Sequence, residues 1–365
     1  MKRVCFTGAY DPGYPRNRIL REGVRRAGWG VLEARVAEKR AWRRYPALAW
    51  ALARHSREAD VLLVPEFRHK DMPLVSALRG RRPVVFDPLV SRWDTLVGDW
   101  RIHSHGSAQA RWNRMLGRWS LGSAQMVLCD TWSHGELLQE LGAPRSQLRR
   151  VLVGAEDEFF RVVTEPPAPS ATSGGVRILY IGGFLPLHGV RTILETARIL
   201  ESRAAKLPPF TFQLVGRGIE YDESRAFASW HKLERVEFTG KLDYAGAPQV
   251  FASAHIVLGA FGAGAKTGRV IPHKLYQGLA AGRAVVTGDG PGVREVFTDG
   301  EQLLLVPRAD AEALAAALAG LIADADLRAR LGAAARARAF EVATPDAVGR
   351  TLADALAELV PGGGA

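Results

Sequence analysis

The sequence predicts an α/β protein with two doubly wound parallel sheets. Apolar runs of strand length alternate with helical stretches along the chain, which is typical of a parallel sheet covered by helices. Residues 166–175, rich in proline, serine and glycine, interrupt this alternation and are interpreted as a linker, after which the alternation restarts. A length of 365 residues also fits two domains at roughly 150 residues each.

Six strands are predicted before the linker. They cover residues 4–7, 30–34, 60–65, 83–87, 126–129 and 149–153. Helices are predicted between them, for example over residues 17–27 and 131–141. Residues 1–165 are therefore expected to form an N-terminal Rossmann-like domain.

Six more strands are predicted after the linker. They cover residues 177–181, 211–215, 236–239, 256–259, 284–287 and 303–306, with a helix over 190–203. Residues 176–344 are therefore expected to form a second Rossmann-like domain, and residues 345–365 a helix that crosses back to the first domain, followed by a tail. Because ligands bind beyond the carboxyl ends of parallel strands, the two domains are expected to face a central cleft.

Composition excludes several classes of protein. No apolar run approaches the roughly 18 to 20 residues of a membrane-spanning helix, and the first residues lack the features of a signal peptide. The two cysteines, Cys5 and Cys129, are too few for a disulfide framework or a cysteine zinc site. A cytoplasmic protein with buried thiols is therefore predicted.

Positive charge is concentrated before the linker. Residues 1–165 carry 28 basic and 18 acidic side chains, against 21 and 20 in the remainder, and hold eight of the nine tryptophans. A basic, aromatic surface fits peripheral contact with an anionic membrane or binding of a phosphorylated substrate. The other interpretation is an arginine-rich chain whose tryptophans lie in the core. Nucleic acid is not an expected partner, because no motif for binding it is present.

The most informative motif is a glycine-rich loop over residues 261–269, which carries two cations and precedes a helix that starts after Pro272. Backbone N–H groups, the helix dipole and fixed positive charge then converge on one point, which predicts a phosphate site. Lys274 lies in the first turn, where a cation is unfavourable for the helix dipole unless it serves an anion. Gln277 follows one turn later, and its amide can hydrogen-bond sugar hydroxyls.

Loops after three further predicted strands strengthen this prediction. Gly182 and Gly183 follow the strand over 177–181 and allow the backbone to approach a phosphate closely. Arg217 follows the next strand, and Lys241 follows the one after it. Together these loops are expected to surround a phosphorylated small molecule.

A second group of polar side chains begins at the strand over 83–87. It contains three carboxylates within thirteen residues and then an arginine and two histidines: Asp87, Asp94, Asp99, Arg101, His103 and His105. Loops beyond strand ends commonly carry chemistry, although aspartates there also form turns and caps. The two histidines lack zinc-motif spacing and no Gly-x-Ser-x-Gly elbow occurs, so neither a metal site nor a hydrolase triad is predicted.

The chain resembles the family-4 glycosyltransferases, which have the GT-B fold. The resemblance is carried by residues 180–190 and 269–277 and extends to 8–17 and 87–101. It implies metal-independent transfer of a sugar from a nucleotide-diphosphate sugar, with retention of anomeric configuration and no other cofactor. The implied acceptor is lipid-linked, a glycan or a small natural product.

The resemblance also implies roles for individual residues. The donor side comprises Gly182, Gly183, Arg217, Lys241, Arg269, Lys274 and Gln277. Among these, Gly183, Arg269 and Lys274 are expected to contact the diphosphate, and Gln277 the ribose. The acceptor side comprises Tyr10, Arg16, Asp87 and Arg101 as binding residues and Asp94, Asp99 and His105 as catalytic candidates.

Three positions depart from the family pattern. Arg269 and Gln277 stand where relatives commonly carry glutamates eight positions apart, and His188 stands where many carry a lysine. Gln277 can still bond a hydroxyl, Arg269 can clamp a phosphate, and a histidine makes phosphate neutralisation depend on pH. Two alternatives therefore stay open: a nucleotide-sugar epimerase of the same fold, and a non-catalytic relative that binds membranes peripherally.

Overall fold

A computed structural model of the chain describes residues 1–38, 40–162 and 175–360. The chain divides into two compact units, the first comprising Met1–Gly154 with Thr344–Ala365 and the second Ala155–Ala343. The predicted linker over residues 166–175 lies outside the described residues except for Gly175.

Each unit contains a six-stranded sheet whose neighbouring strands are all parallel. The first sheet contains β1 (Arg3–Gly8), β2 (Gly30–Arg35), β3 (Val61–Val64), β4 (Val84–Phe86), β5 (Met126–Cys129) and β6 (Leu148–Arg150). The second contains β7 (Val176–Ile181), β8 (Phe210–Val215), β9 (Val236–Gly240), β10 (Ile256–Leu258), β11 (Ala284–Gly288) and β12 (Leu304–Val306). The predicted two-sheet α/β architecture is therefore confirmed, although β6 is shorter than the predicted strand over 149–153.

Helices connect these strands. In chain order they are α1 (Pro15–Arg26), α2 (Ala41–His55), α3 (Met72–Leu78), α4 (Ala108–Gly122), α5 (Trp132–Glu140), α6 (Asp157–Phe160), α7 (Val190–Ser202), α8 (Tyr221–Trp230), α9 (Ala247–Ser253), α10 (Ala265–Arg269), α11 (His273–Ala280), α12 (Pro291–Arg294), α13 (Ala311–Ala323), α14 (Ala325–Val342) and α15 (Pro345–Ala357). Among the described residues, no helix combines the length and apolar character needed to cross a bilayer.

The strand order identifies the binding edge of each sheet. The orders are β2-β1-β3-β4-β5-β6 and β12-β11-β10-β7-β8-β9, so the direction of chain progression reverses between β1 and β3 and between β7 and β10. In open parallel sheets, ligands bind beyond the carboxyl ends of the strands at such a reversal. The loops after these four strands are therefore where functional side chains are expected.

The last helix returns to the first sheet, as predicted. Helix α15 packs against α1 where Gly23 meets Gly349, and a Cβ on either glycine would overlap the backbone of the other. Apolar side chains of both helices share one buried cluster with the first sheet, among them Ile19, Val24, Val348 and Leu352.

The segment after β6 departs from the predicted domain boundary. Residues up to 165 were expected in the first domain, but Ala155–Phe160 belong to the second unit. The ring of Phe159 packs edge-on against Phe251 at 5.4 Å, and Phe160 lies 4.7 Å from Phe340. Burial of these two aromatic rings holds the segment in the second unit, because exposed phenylalanines would lose their hydrophobic stabilisation.

Candidate functional site

The loops at the carboxyl edge of the second sheet are joined through their backbones. The Gly182 N–H donates to the Val215 carbonyl at 2.9 Å, and the Gly216 N–H donates to the Gly240 carbonyl at 2.7 Å. Gly216 has a φ of +130°, and a Cβ there would overlap the Gly182 carbonyl. Only glycine allows this approach, so the loops after β7, β8 and β9 form one continuous backbone surface.

The glycine-rich loop after β10 is held against the short helical turn Pro186–His188. The Phe261 N–H donates to the His188 carbonyl at 3.0 Å, and the Gly262 N–H donates to the Leu187 carbonyl at 3.1 Å. The Thr267 hydroxyl donates to the same Leu187 carbonyl at 2.9 Å. The loops on the two strands that flank the reversal are therefore fixed to each other.

Lys274 lies at the centre of this edge, in the first turn of α11, and is 6% exposed. Its Nζ lies 3.9 Å from the centroid of the Tyr180 ring, and a Cβ on Gly182 would lie 3.2 Å from it. Within the described residues, Nζ has no hydrogen-bond partner. Burial holds the pKa of this ammonium well below its usual range.

His188 lies beside Lys274 and is neutral in this environment. Its Nδ1 is within hydrogen-bonding distance of the Gly183 carbonyl and lies 3.0 Å from the Tyr180 hydroxyl. Burial first, and then the charge of Lys274, lower the pKa of His188 well below its usual range. In the unliganded protein His188 therefore supplies no positive charge at this position.

Gln277 is buried and already engaged. Its Nε2 donates to the Tyr244 hydroxyl at 2.7 Å, and that hydroxyl donates to Glu156 Oε1 at 2.7 Å. The other carboxylate oxygen of Glu156 lies 3.3 Å from His273 Nε2. Burial raises the pKa of Glu156, but its interactions with His273 and Tyr244 outweigh burial and bring the pKa below its usual value. One amide function of Gln277 is thus occupied by a polar chain that the sequence did not reveal.

The remaining donor-side residues lie at the same carboxyl edge. Arg269 is half-buried at the end of α10. Arg217, directly after β8, is exposed with its guanidinium 4.7 Å from the centroid of the Tyr221 ring, and Lys241, directly after β9, is also exposed. The fold thus places all seven predicted donor-side residues on segments that follow the carboxyl ends of the second sheet's strands.

Two predicted acceptor-side residues form a buried ion pair at the edge of the first sheet. Arg16 is 1% exposed, and its Nε and Nη2 donate to the two carboxylate oxygens of Asp87 at 2.6 and 3.0 Å. The guanidinium also donates to the Val151 and Leu152 carbonyls at 3.2 and 3.1 Å. Arg16 therefore ties the start of α1 to the ends of β4 and β6.

The other acceptor-side residues are spread along the first unit. Tyr10 is buried, with its hydroxyl donating to Glu33 at 2.8 Å, and burial raises the pKa of this phenol. The π-helical turn Asp94–Asp99 holds a buried Asp94 at its start and a half-buried Asp99 at its end. Arg101 and His105 are exposed, and the His105 ring stacks edge-on against Trp93 at 5.7 Å. Their contact with substrate stays a prediction.

Glu66 is a candidate site residue that no sequence motif indicated. It is 1% exposed and follows β3 at the reversal of the first sheet, and its Oε2 has no hydrogen-bond partner among the described residues. Burial first, and then the charge of Asp87, raise the pKa of Glu66 to about 8. The next residue, Phe67, has a φ of 59°, a left-handed conformation that is uncommon outside glycine and is found at functional sites. In the sequence, the one feature that could have pointed to Glu66 is its position shortly after an apolar strand.

We expect Glu66→Gln to stabilise the protein at alkaline pH. A carboxyl whose pKa is higher in the folded than in the unfolded state loses stability as the pH rises from about 4.5 to about 8. Glutamine removes that loss, so the free energy of unfolding should rise by on the order of 2 kcal/mol at pH 8 and change little at pH 4. Urea unfolding at both pH values measures this change in the free energy of unfolding, and substitution of the exposed Glu140 by glutamine is the control. Equal effects of Glu66→Gln at the two pH values would contradict the prediction.

Within the described ranges 1–38, 40–162 and 175–360, no group of three or more His, Cys, Asp or Glu side chains is arranged to hold a metal ion. Metal independence of the chemistry stays a prediction.

Comparison with known proteins bears directly on the second unit. Residues 175–324 match the model of the family described as glycosyl transferases group 1. Residues 175–324 form a glycosyl transferase group 1 domain. This domain includes β7 to β12, the glycine-rich loop and Lys274.

Relatives extend the likeness of the group 1 domain. The phosphatidyl-myo-inositol mannosyltransferase of Mycolicibacterium smegmatis is 35% identical over 156 residues, which is 42% of this chain and 38% of the relative. The lipopolysaccharide core biosynthesis glycosyltransferase LpsE of Rhizobium meliloti is 27% identical over 216 residues, 56% of each protein. The chain thus spans well under two thirds of the length of these relatives.

Solved structures show the same fold over nearly the whole chain. Anabaena Alr3699/HepE in complex with UDP and glucose aligns with a TM-score of 0.70 at 15% identity, covering 98% of this chain and 99% of that one. Sucrose-phosphate synthase from Thermosynechococcus elongatus aligns with a TM-score of 0.74 at 16% identity, with the same coverage. The group 1 domain therefore belongs to a chain with the GT-B fold, which confirms the predicted resemblance. Membership of family 4 and retention of anomeric configuration stay predictions.

Proposed function

We propose that the chain is a glycosyltransferase that moves a sugar from a nucleotide-diphosphate sugar to an acceptor hydroxyl or amine, with retention of anomeric configuration. The bond between the anomeric carbon and the diphosphate oxygen breaks, and the acceptor oxygen or nitrogen bonds to the same face of that carbon. The proton that the acceptor loses passes to the departing diphosphate. The group 1 domain binds the donor. The first unit, with its own strand-end residues, recognises the acceptor.

The observation that carries this proposal is a difference between two buried cations, Lys274 and Arg16, in whether a partner neutralises them. Both are buried cations in the first turn of a helix, where the helix dipole disfavours positive charge. Arg16 is neutralised by Asp87, whereas Lys274 has no hydrogen-bond partner among the described residues. A buried ammonium without a counter-charge is costly, so its position is explained by an anion that arrives with the ligand.

A diphosphate is the anion that best fits this position. Gly182 and Gly183 offer backbone that a phosphate can approach, and α11 directs its N-terminal N–H groups to the same edge. Arg269 supplies a further guanidinium for bidentate binding of a phosphate. Arg217 and Lys241 follow β8 and β9, where we assign contacts to the rest of the nucleotide. Stabilising charge on the departing diphosphate then supplies most of the catalysis.

Gln277 takes an altered role in this proposal. Its Nε2 is held by Tyr244, so a ribose hydroxyl is recognised by its remaining amide oxygen together with the Tyr244 hydroxyl. Glu156 accepts a hydrogen bond from the Tyr244 hydroxyl and supplies the negative charge that a glutamate at position 277 would have carried. The polar chain thus offsets one of the two departures from the family pattern.

The comparisons support the chemistry at the level of the class. The relatives carry names of mannosyltransferases and glycosyltransferases, and HepE was solved with UDP and glucose. We assign a lipid-linked, glycan or small natural-product acceptor to the first unit, with Asp94, Asp99 and His105 as the catalytic candidates and Tyr10 and Arg101 as binding residues. We also propose a cytoplasmic location with peripheral membrane contact, since a lipid-linked acceptor lies at a membrane surface.

Donor binding is expected to take up a proton. Burial depresses the pKa of Lys274 in the free protein, and a bound diphosphate restores it by favouring the charged form. Affinity for a nucleoside diphosphate should therefore be flat below the depressed pKa and fall as the pH rises through it. Calorimetry in buffers of different ionisation enthalpy measures the uptake; a pH-independent affinity with no proton uptake would count against this role for Lys274.

The proposed function is tested by thermal shift with a panel of nucleotide sugars, followed by incubation of the stabilising donor with candidate acceptors. A ligand at 100 times its dissociation constant stabilises by about 2.7 kcal/mol, which a melting curve resolves. Mass spectrometry should find an acceptor heavier by one sugar, and proton NMR should show the donor's anomeric configuration in the product. Isomerised donor without acceptor would establish an epimerase instead, and stabilisation without turnover a non-catalytic binder.

A further inference from the structure

Helix α4 carries an exposed apolar stripe. Trp112, Met115 and Trp119 are 52%, 53% and 56% exposed, although they are among the largest apolar side chains in the unit. They recur at intervals of three and four residues and therefore share one face of the helix. The opposite face, which includes Ala110 and Leu121, is buried. The exposed stripe is thus additional to the face that holds α4 on the sheet.

Helix α2 repeats this arrangement. Trp42 and Trp50 are 67% and 61% exposed, and each is stacked with an arginine, Arg43 at 4.5 Å and Arg54 at 5.2 Å from the ring centroid. The interpretation that the tryptophans lie in the core therefore fails for these two, as it does for the two exposed tryptophans of α4. A monomer gains nothing from exposing four indole rings, so a partner is indicated.

Helices α2 and α4 lie on the same side of the first sheet. Their buried faces enter one apolar cluster with α3, which contacts both of them. Helix α3 also exposes Leu78, at 42%. Their outward side chains therefore belong to one layer, and we call Trp42, Trp50, Trp112, Met115 and Trp119 the tryptophan face.

The charge around the tryptophan face has one sign. Residues 39–57 and 100–129 contain no aspartate or glutamate. Five exposed arginines lie on α2 and α4, and none forms a salt bridge within the described ranges: Arg43, Arg54, Arg111, Arg114 and Arg118. Helices with basic and aromatic residues on the outward face are typical of binding in the plane of a membrane interface.

We propose that the tryptophan face binds the surface of a membrane that contains anionic lipids. Indole rings favour the headgroup region, and the arginines are attracted to anionic headgroups. The proposal concerns helices α2 and α4 alone and does not depend on sugar transfer. It names the surface for the peripheral membrane contact proposed above. Because it is tested without donor, failure of sugar transfer leaves it standing, and failure of flotation would remove the membrane contact but leave sugar transfer standing.

The test is flotation of the full chain with vesicles of phosphatidylcholine alone and with vesicles of phosphatidylcholine and phosphatidylglycerol in equal amounts. The protein should float with the mixed vesicles, less so at high salt, and not with phosphatidylcholine alone. Arg111→Gln/Arg114→Gln/Arg118→Gln should lower the partition coefficient about fivefold for each charge removed. Trp112→Ser/Met115→Ser/Trp119→Ser should lower it about tenfold or more.

Matched controls lie in the second unit. Trp230→Ser removes an indole that is 83% exposed on α8, and Arg198→Gln/Arg225→Gln removes two exposed arginines. Both controls should float like the parent protein.

Absence of flotation by the parent, or equal losses in the controls, would overturn the proposal. So would a parent protein that self-associates in size-exclusion chromatography through these residues, because a second copy would then cover the face. The arginine variant changes only exposed charge, so it keeps the test valid if the tryptophan variant folds poorly.

Discussion

Replacing Lys274 by methionine is expected to weaken binding of nucleoside diphosphates about 100-fold or more. The loss corresponds to about 3 kcal/mol, the cost of removing one partner from a buried, hydrogen-bonded ion pair. The same change should leave the stability of the unliganded protein unaltered or raise it. The substitution removes a buried ammonium whose pKa is depressed and leaves an apolar chain of similar length beside Tyr180. Calorimetry with UDP, GDP and ADP in turn, together with urea unfolding, measures both effects.

The two readouts separate a binding role from a structural one. A lysine that merely filled space in the fold would lower stability when replaced and change affinity only through unfolding. Lys206→Met is the matched control, because Lys206 is exposed and precedes β8 at the opposite edge of the same sheet. Unchanged diphosphate affinity in Lys274→Met would remove the main support for the proposed donor site.

Replacing Arg16 by methionine is expected to lower the free energy of unfolding by about 3 to 5 kcal/mol. The substitution leaves the fully buried Asp87 without its bidentate partner, and an uncompensated buried carboxylate is strongly destabilising. It also removes the donors to the carbonyls of Val151 and Leu152. Such a loss is a large part of the 5 to 15 kcal/mol that holds a typical domain folded. Urea unfolding followed by circular dichroism measures it.

A matched control lies on the same helix. Arg25 forms an exposed pair with Glu22 at 2.8 Å, and exposed pairs contribute about 0 to 1 kcal/mol, so Arg25→Met should have little effect. The double variant Arg16→Met/Asp87→Leu should recover much of the stability, because no unpaired charge is then buried. A double variant as unstable as Arg16→Met alone would show that the carbonyl contacts, and not the ion pair, hold this edge together.

Local patterns predicted the fold to within a few residues. The predicted strand over 126–129 coincides with β5, and β7 and β8 each begin one residue earlier than predicted. Strands buried on both faces are nearly continuous apolar runs, which a single sequence displays clearly. The predicted domain boundary at 165 was wrong. The placement of residues 155–160 depends on the contacts of Phe159 with Phe251 and of Phe160 with Phe340, which join segments far apart in the sequence.

The candidate site was predicted unevenly for a related reason. Lys274 was identified because its position contradicts the electrostatics of its own helix, a conflict that is visible in the sequence. Glu66 could have been noticed as a carboxylate after an apolar strand. Tyr244 and Glu156 had no such signal, since their hydrogen bonds with Gln277 join segments that lie far apart in the chain.

The sequence alone determined the two sheets, their binding edges and a cation placed against a helix dipole. These follow from the spacing of apolar residues and from the preferences of helix ends, which are local properties of the chain. Only the tertiary structure decided which cations are neutralised. It paired Arg16 with Asp87 and left Lys274 without a hydrogen-bond partner among the described residues. It also decided which tryptophans are exposed on α2 and α4, because burial depends on what packs against a helix and not on the composition of that helix.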